Sequence, residues 1–117
     1  KYKIDRDRLY VTGLSMGGEG TYALIESYPK LFAAAVPICG AIEPNMPKKF
    51  KSVPIQSFVG SEDKVLKRMM TLTNAITSAG GKARLYIHNG VGHVSWPLVY
   101  EDDAYIKWLL MHKRISK

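Results

Sequence analysis

The sequence predicts an α/β fold, a parallel sheet with helices on both faces, and three observations carry that expectation. Short β-rich runs alternate with helical stretches along the 117 residues, the order that generates parallel sheets with right-handed crossovers. One of those runs, Phe32 to Cys39, is almost wholly apolar and has the character of a buried strand. Glycine closes element after element, at Gly13, Gly40, Gly60 and Gly80-Gly81, as expected where strands and helices hand over to turns.

Asp5 and Asp7 are turn residues ahead of a first strand over Arg8–Thr12. From Met16 to Tyr28 the period changes. Tyr22, Ile25 and Tyr28 recur every third residue, one apolar face of a helix that Pro29 closes. The second strand spans Phe32–Cys39, although Pro37 cannot donate to a ladder. Ala41 to Val53, with two prolines and three lysines, is a loop or a short irregular helix. A third strand covers Pro54–Gly60. A helix follows from Val65 to Ala79, with Val65, Leu66, Met69, Leu72, Ala75, Ile76 and Ala79 on one face. Lys82–Asn89 alternates around Ala83, Leu85 and Ile87 as a fourth strand, and Pro97 opens a last helix through Met111. Nothing divides the chain, so residues 1–117 are expected to form a single domain.

Composition narrows the function classes. Seventeen Lys and Arg against ten Asp and Glu give a net charge of +7. The basic residues are scattered, however, and their densest groups, Lys48-Lys49-Lys51 and Lys113-Arg114-Lys117, have the look of solvated loop or terminal charges. Nucleic acid is therefore not the expected partner. No apolar run approaches the ~20 residues of a membrane helix, and Lys1-Tyr2-Lys3-Ile4-Asp5-Arg6 has no apolar core after its charges. The first residue is Lys1, not Met, which suggests a piece of a longer chain. A single cysteine, Cys39, leaves no internal disulfide and no multi-cysteine zinc site, and has the character of a small buried apolar residue.

The chemistry centres on Gly13-Leu14-Ser15-Met16-Gly17, a G-x-S-x-G turn between a predicted strand and a predicted helix. A serine on so sharp a turn needs small neighbours two residues to either side. Its hydroxyl is then lifted above the sheet edge, and the Met16 backbone N–H at the helix start is aimed at a developing oxyanion. The serine needs a base. Of three histidines, His88 lies in a strand and His112 near the end of the last helix. His93 lies in the loop after the fourth strand, at the same carboxyl edge as Ser15. The base in turn needs an acid to orient it. Asp63 follows the third strand and gives the chain order Ser, Asp, His, and it can also cap the helix that begins near Lys64, one role not excluding the other. Glu62 and Glu43 are rival acids, whereas Asp102 and Asp103 suit exposed helix positions. Tyr100, Trp96 and Met46 stand near strand-end loops, where they line a pocket or simply pack.

These residues resemble the α/β-hydrolase superfamily, in particular esterases of the dienelactone hydrolase, feruloyl and acetyl esterase and prolyl-oligopeptidase-like types. The resemblance runs through Ile4–Gly18, Leu31–Gly40, Gly60–Val65 and Gly90–Trp96. It implies Ser15 as nucleophile, Asp63 as acid, His93 as base and the Met16 N–H as one oxyanion donor, with no metal or organic cofactor. The implied activity is carboxylic ester hydrolysis of a small-molecule substrate. A serine peptidase or acyltransferase with the same triad is one alternative, and a non-catalytic hydrolase-like fragment is another. In that family several strands precede the elbow strand, and an early loop supplies a second oxyanion N–H. The resemblance therefore implies the C-terminal portion of the fold, with the elbow strand at an open edge prone to self-association.

Overall fold

In a computed structural model that describes residues 3–114, four strands form one parallel sheet in sequential order. Lys1 and Lys117, which entered the reading of the termini, lie outside those residues. The elements are β1 (Tyr10–Leu14), α1 (Met16–Ser27), β2 (Ala34–Ile38), a 3₁₀ turn at Pro47–Phe50, β3 (Ile55–Gly60), α2 (Leu66–Ser78), β4 (Ala83–His88), α3 (Trp96–Tyr100) and α4 (Ala104–Leu110). The fold class and strand order are as expected. Strand β1 starts and ends two residues later than predicted, and the later end brings Gly13 inside the strand instead of after it.

Both faces of the sheet are covered, and β2 shows how. Ala35 joins Tyr22 and Ile25 of α1, Met69, Leu72 and Ile76 of α2, and Phe50, Ile55 and Val59 in one core. Ala34, Val36 and Ile38 point the other way, into a second core closed by Val99 of α3 and Leu109 of α4. Alternate residues of one strand thus feed two cores, as a parallel sheet requires. Pro37 is accommodated inside this central strand. The β2–β3 register holds at Ala35↔Ile55 and Ile38↔Phe58 and lapses between them, because proline has no N–H to give.

Three expectations need correction. The last helix is not continuous. It breaks at Glu101–Asp103, where the Asp102 carboxylate takes the Ala104 N–H at 3.0 Å, a local bond that competes with the helical ladder. Asp102 and Asp103 are exposed, but in the turn between α3 and α4. Tyr28 is 57% exposed, since α1 ends one residue before it. Arg114 is not a free terminal charge: it pairs with Asp7 at 3.0 Å, and its backbone N–H donates to the Asp7 carbonyl, tying the C-terminal segment to the turn before β1.

The β1–α1 turn is tight because two backbones meet there. A Cβ on Gly13 would collide with the Gly17 carbonyl and stand 2.9 Å from the Thr21 hydroxyl. At Gly17 a Cβ would meet nothing within 4 Å. The small-residue requirement read from the motif therefore applies strictly to Gly13, and Gly17 is free of it.

Two predictions follow from the core and this turn. Gly13→Ala should lower stability by about 1–3 kcal/mol through overpacking. Gly17→Ala, inside a helix with open space, should leave stability equal or raise it by up to ~1 kcal/mol. Paired urea titrations read the contrast, and equal midpoints for the two variants would refute it. The second prediction concerns Tyr22, whose fully buried hydroxyl has no hydrogen-bond partner among the described residues. Burial pushes its pKa up to about 12, and the nearby Ser57 and Thr73 hydroxyls only partly offset this. An unfolded tyrosine loses its proton near pH 10, so between pH 10 and 12 the unfolded chain holds fewer protons and stability falls as pH rises. Tyr22→Phe should remove up to about 3 kcal/mol of that alkaline loss. Urea midpoints from pH 8 to 12 measure it, and parallel curves for the two proteins would contradict the assignment.

Candidate active site

Ser15 stands at the end of β1 as the N-cap of α1, with φ 55° and ψ −118°. A non-glycine residue there is strained by about 1–3 kcal/mol. The turn is anchored across the strands: the Ser15 N–H donates to the Ile38 carbonyl at the end of β2 (2.9 Å), and the Ser15 carbonyl accepts from Gly18 and Glu19. Met16 is the first helical residue, so its N–H is one of those a helix start leaves without an intrahelical acceptor.

Two loops bring the other groups to the same edge. Gly60 ends β3, and a Cβ there would collide with the Val91 and Gly92 carbonyls of the β4–α3 loop. The loops are then laced together. Ser61 N–H donates to the His88 carbonyl and Glu62 N–H to Val91, both at 2.9 Å, and Gly90 N–H donates to the Ser61 hydroxyl at 2.8 Å. Asp63 leaves one loop as His93 leaves the other.

The result is a chain of hydrogen bonds. Ser15 Oγ lies 2.9 Å from His93 Nε2, and His93 Nδ1 lies 2.8 Å from Asp63 Oδ2. A carboxylate only accepts, so Nδ1 carries the proton and Nε2 of the neutral ring is the acceptor for the serine hydroxyl. Asp63 is buried, while the His93 side chain is 48% exposed. The second carboxylate oxygen, Oδ1, takes the Val65 N–H at 3.0 Å ahead of α2. Asp63 therefore fills the helix-entry role and the histidine-partner role together, one oxygen for each. The edge of the Trp96 ring packs against the His93 ring, with centroids 6.1 Å apart.

The remaining candidates lie elsewhere. Glu43 pairs with Arg68 at 3.6 Å. Glu62 is exposed on the cavity wall. His88 ends β4 with its ring stacked on Phe58, and His112 Nδ1 is bonded to the Trp108 carbonyl at 2.8 Å. A cavity of about 590 Å³ opens above Ser15, walled by Glu19, Cys39, Glu62, Lys64, Val65 and Arg68 beside Asp63 and His93. Tyr100, Trp96 and Met46 are not among its walls. Tyr100 is bonded to the Thr12 hydroxyl at 2.8 Å, and Tyr100 and Trp96 both pack on the second core.

Two residues gained a place that the sequence did not suggest. Cys39, at φ 44°, is buried as expected, but it faces the histidine and aspartate. Desolvation pushes its thiol pKa up, and the Asp63 charge adds to the rise. The Ser15 backbone and Ser95 hydroxyl offset only part of it. Ser95, within the Gly-His-x-Ser-Trp stretch, is fully buried with its hydroxyl unpartnered among the described residues.

Comparison with known proteins agrees with this fold. Poly(3-hydroxyalkanoate) depolymerase C of Paucimonas lemoignei is 49% identical over 39 residues, 33% of this chain and 9% of that protein. A thermostable esterase superposes with a TM-score of 0.90 at 36% identity, over 97% of this chain and 33% of its own. SOBER1 of Arabidopsis thaliana superposes at 0.76 with 22% identity, over 92% of this chain and 55% of its own, a likeness of fold. This chain thus spans about a third of the thermostable esterase and a smaller part of the depolymerase. Residues 1–96 match the dienelactone hydrolase family. With the elbow turn, the strand order and that match in hand, the chain belongs to the dienelactone hydrolase family and has the architecture of an α/β-hydrolase fragment.

Proposed function

We propose that this chain carries the nucleophile, base and acid of a serine hydrolase acting on small carboxylic esters. The observation that carries the reading is the unbroken run from Ser15 Oγ through His93 to Asp63, at 2.9 and 2.8 Å, set on a strained strand-to-helix turn. In the proposed reaction His93 Nε2 takes the Ser15 proton as Oγ attacks the ester carbonyl. The Met16 N–H faces the oxyanion, reinforced by the positive end of α1. His93 then protonates the leaving alcohol and next activates the water that hydrolyses the acyl-enzyme. Asp63 holds the ring in the tautomer this requires and stabilises its charged form. Membership of the dienelactone hydrolase family and the likeness to a thermostable esterase support ester chemistry.

A fluorophosphonate probe should label Ser15 in the purified protein, and Ser15→Ala should abolish labelling and lower p-nitrophenyl ester turnover by about 10⁶. A labelled site that hydrolyses no ester would favour another acyl-transfer chemistry, and an unlabelled Ser15 would refute the reading. Asp63→Asn should lower turnover by about 10⁴ while its side-chain oxygen still accepts from Val65, so the thermal melt should move little. Glu43→Gln should leave turnover unchanged. The reverse pattern, an active Asp63→Asn and an inactive Glu43→Gln, would place the acid after β2.

A further inference from the structure

The mechanism above has no use for Cys39, although the thiol sits against its two working partners. Cys39 Sγ, a carboxylate oxygen of Asp63 and a ring nitrogen of His93 lie within 4.8 Å of one another. Thiolate sulfur, imidazole nitrogen and carboxylate oxygen are the donor types that zinc and its heavier relatives prefer. In a tetrahedral site with bonds of about 2.0–2.3 Å, donor atoms stand roughly 3.3–3.6 Å apart. To reach that spacing Asp63 and His93, hydrogen-bonded at 2.8 Å, part by about 0.5 Å and Cys39 closes by up to about 1 Å. A second observation marks the same spot. The Ser95 hydroxyl, fully buried and without a hydrogen-bond partner among the described residues, neighbours the thiol. It can turn a lone pair to a cation or to a water the cation holds. Access is through the cavity above Ser15, whose wall includes Cys39 and the carboxylates of Glu19 and Glu62.

We propose that Cys39, Asp63 and His93 form a binding site for a thiophilic divalent cation such as Zn²⁺ or Cd²⁺, and that occupancy switches the Ser15 centre off. Nδ1 is the ring nitrogen that faces Asp63, so it is the nitrogen the cation takes. On binding, the Cys39 S–H proton leaves to solvent as the S–metal bond forms. The Nδ1 proton passes through solvent to Nε2, and the ring stays neutral. Nε2 then bears a proton and cannot accept the one on Ser15, and the Asp63–Nδ1 hydrogen bond gives way to the two metal bonds, so the nucleophile loses its base. The inhibitory half of this proposal rests on the ester-hydrolase reading; the binding half does not.

The test is a Cd²⁺ titration of the purified protein, following the ultraviolet thiolate-to-cadmium charge-transfer band alongside p-nitrophenyl ester hydrolysis. Zn²⁺ serves as a second inhibitor and a chelator tests reversal. Cys39→Ala and Cys39→Ser are compared, each against its own rate without metal and each checked by thermal melt, so that one folded variant suffices. The expected result is a band that saturates at one cation per chain and is absent from both variants. Half-inhibition should shift upward by more than about 10-fold, because loss of a ligand should cost at least what loss of a ligand's supporting partner does. No band in the folded wild-type protein, or equal inhibition of wild type and variants, overturns the proposal. A protein that shows the band but hydrolyses no ester supports the binding site and refutes the activity. One that hydrolyses esters without the band does the opposite.

Discussion

The rest of the site depends on the way β1 ends. Ser15 sits at φ 55°, a conformation its side chain disfavours by about 1–3 kcal/mol, and the turn persists because its surroundings over-determine it. Its N–H has one acceptor, the Ile38 carbonyl at the end of the neighbouring strand, and its carbonyl receives the first turn of α1. Gly13 lets the Gly17 carbonyl pass where any Cβ would stand. Relaxing Ser15 would break these bonds together, so the strain is held by the sheet register and the hydroxyl is held in place. Thr12↔Val36 and Leu14↔Ile38 fix that register, which makes the position of the proposed nucleophile a property of the two-strand ladder rather than of a loop.

The partners are positioned less by strands than by two loops that brace each other. Strands β3 and β4 end together, at Gly60↔His88, and their loops exchange backbone bonds at Ser61, Glu62 and Gly90. A histidine that is half-exposed would otherwise sample many rotamers. Here one ring nitrogen is claimed by a buried carboxylate whose other oxygen is committed to Val65. Because each carboxylate oxygen has its own donor, Asp63 cannot turn without leaving one of them unpaired, at about 1–3 kcal/mol for a buried group. The histidine is therefore oriented by a group that is itself oriented.

What was legible in the sequence follows the same physics. The order of elements was clear because Ala34–Ile38 is an unbroken buried run and Met69, Leu72 and Ile76 form a buried helical face of α2, and burial leaves either signature. The three residues that meet at the carboxyl edge were legible because a parallel sheet sends every strand end to one side, so Ser15, Asp63 and His93 share it by topology alone. Other features left weaker traces. The break between α3 and α4 depends on one side-chain bond from Asp102, which no apolar period records. The charged walls of the cavity come from α1, the β3–α2 loop and α2, where Glu19, Lys64 and Arg68 resemble any solvated surface residues. Cys39 was recognised as buried, but burial does not say which groups it is buried against.

That last point bears on how the proposed hydrolase site and the proposed cation site come to overlap. A good base needs a histidine with one nitrogen held by a buried carboxylate and the other free for the nucleophile, and a good soft-cation site needs the same imidazole and carboxylate with one thiolate added. Strand β2 ends as β1 does, in a positive-φ residue, Cys39 at 44° beside Ser15 at 55°, and its N–H is fixed to the Phe58 carbonyl of β3 at 2.8 Å. The Cys39 backbone is thus as firmly placed as that of Ser15. The two proposed functions exclude each other, because the base keeps its proton on Nδ1 and the cation takes Nδ1 and leaves the proton on Nε2. In the proposed reading, the hydrogen bonding that would fit this histidine for proton transfer is also what would let a cation arriving from the Cys39 side displace its proton.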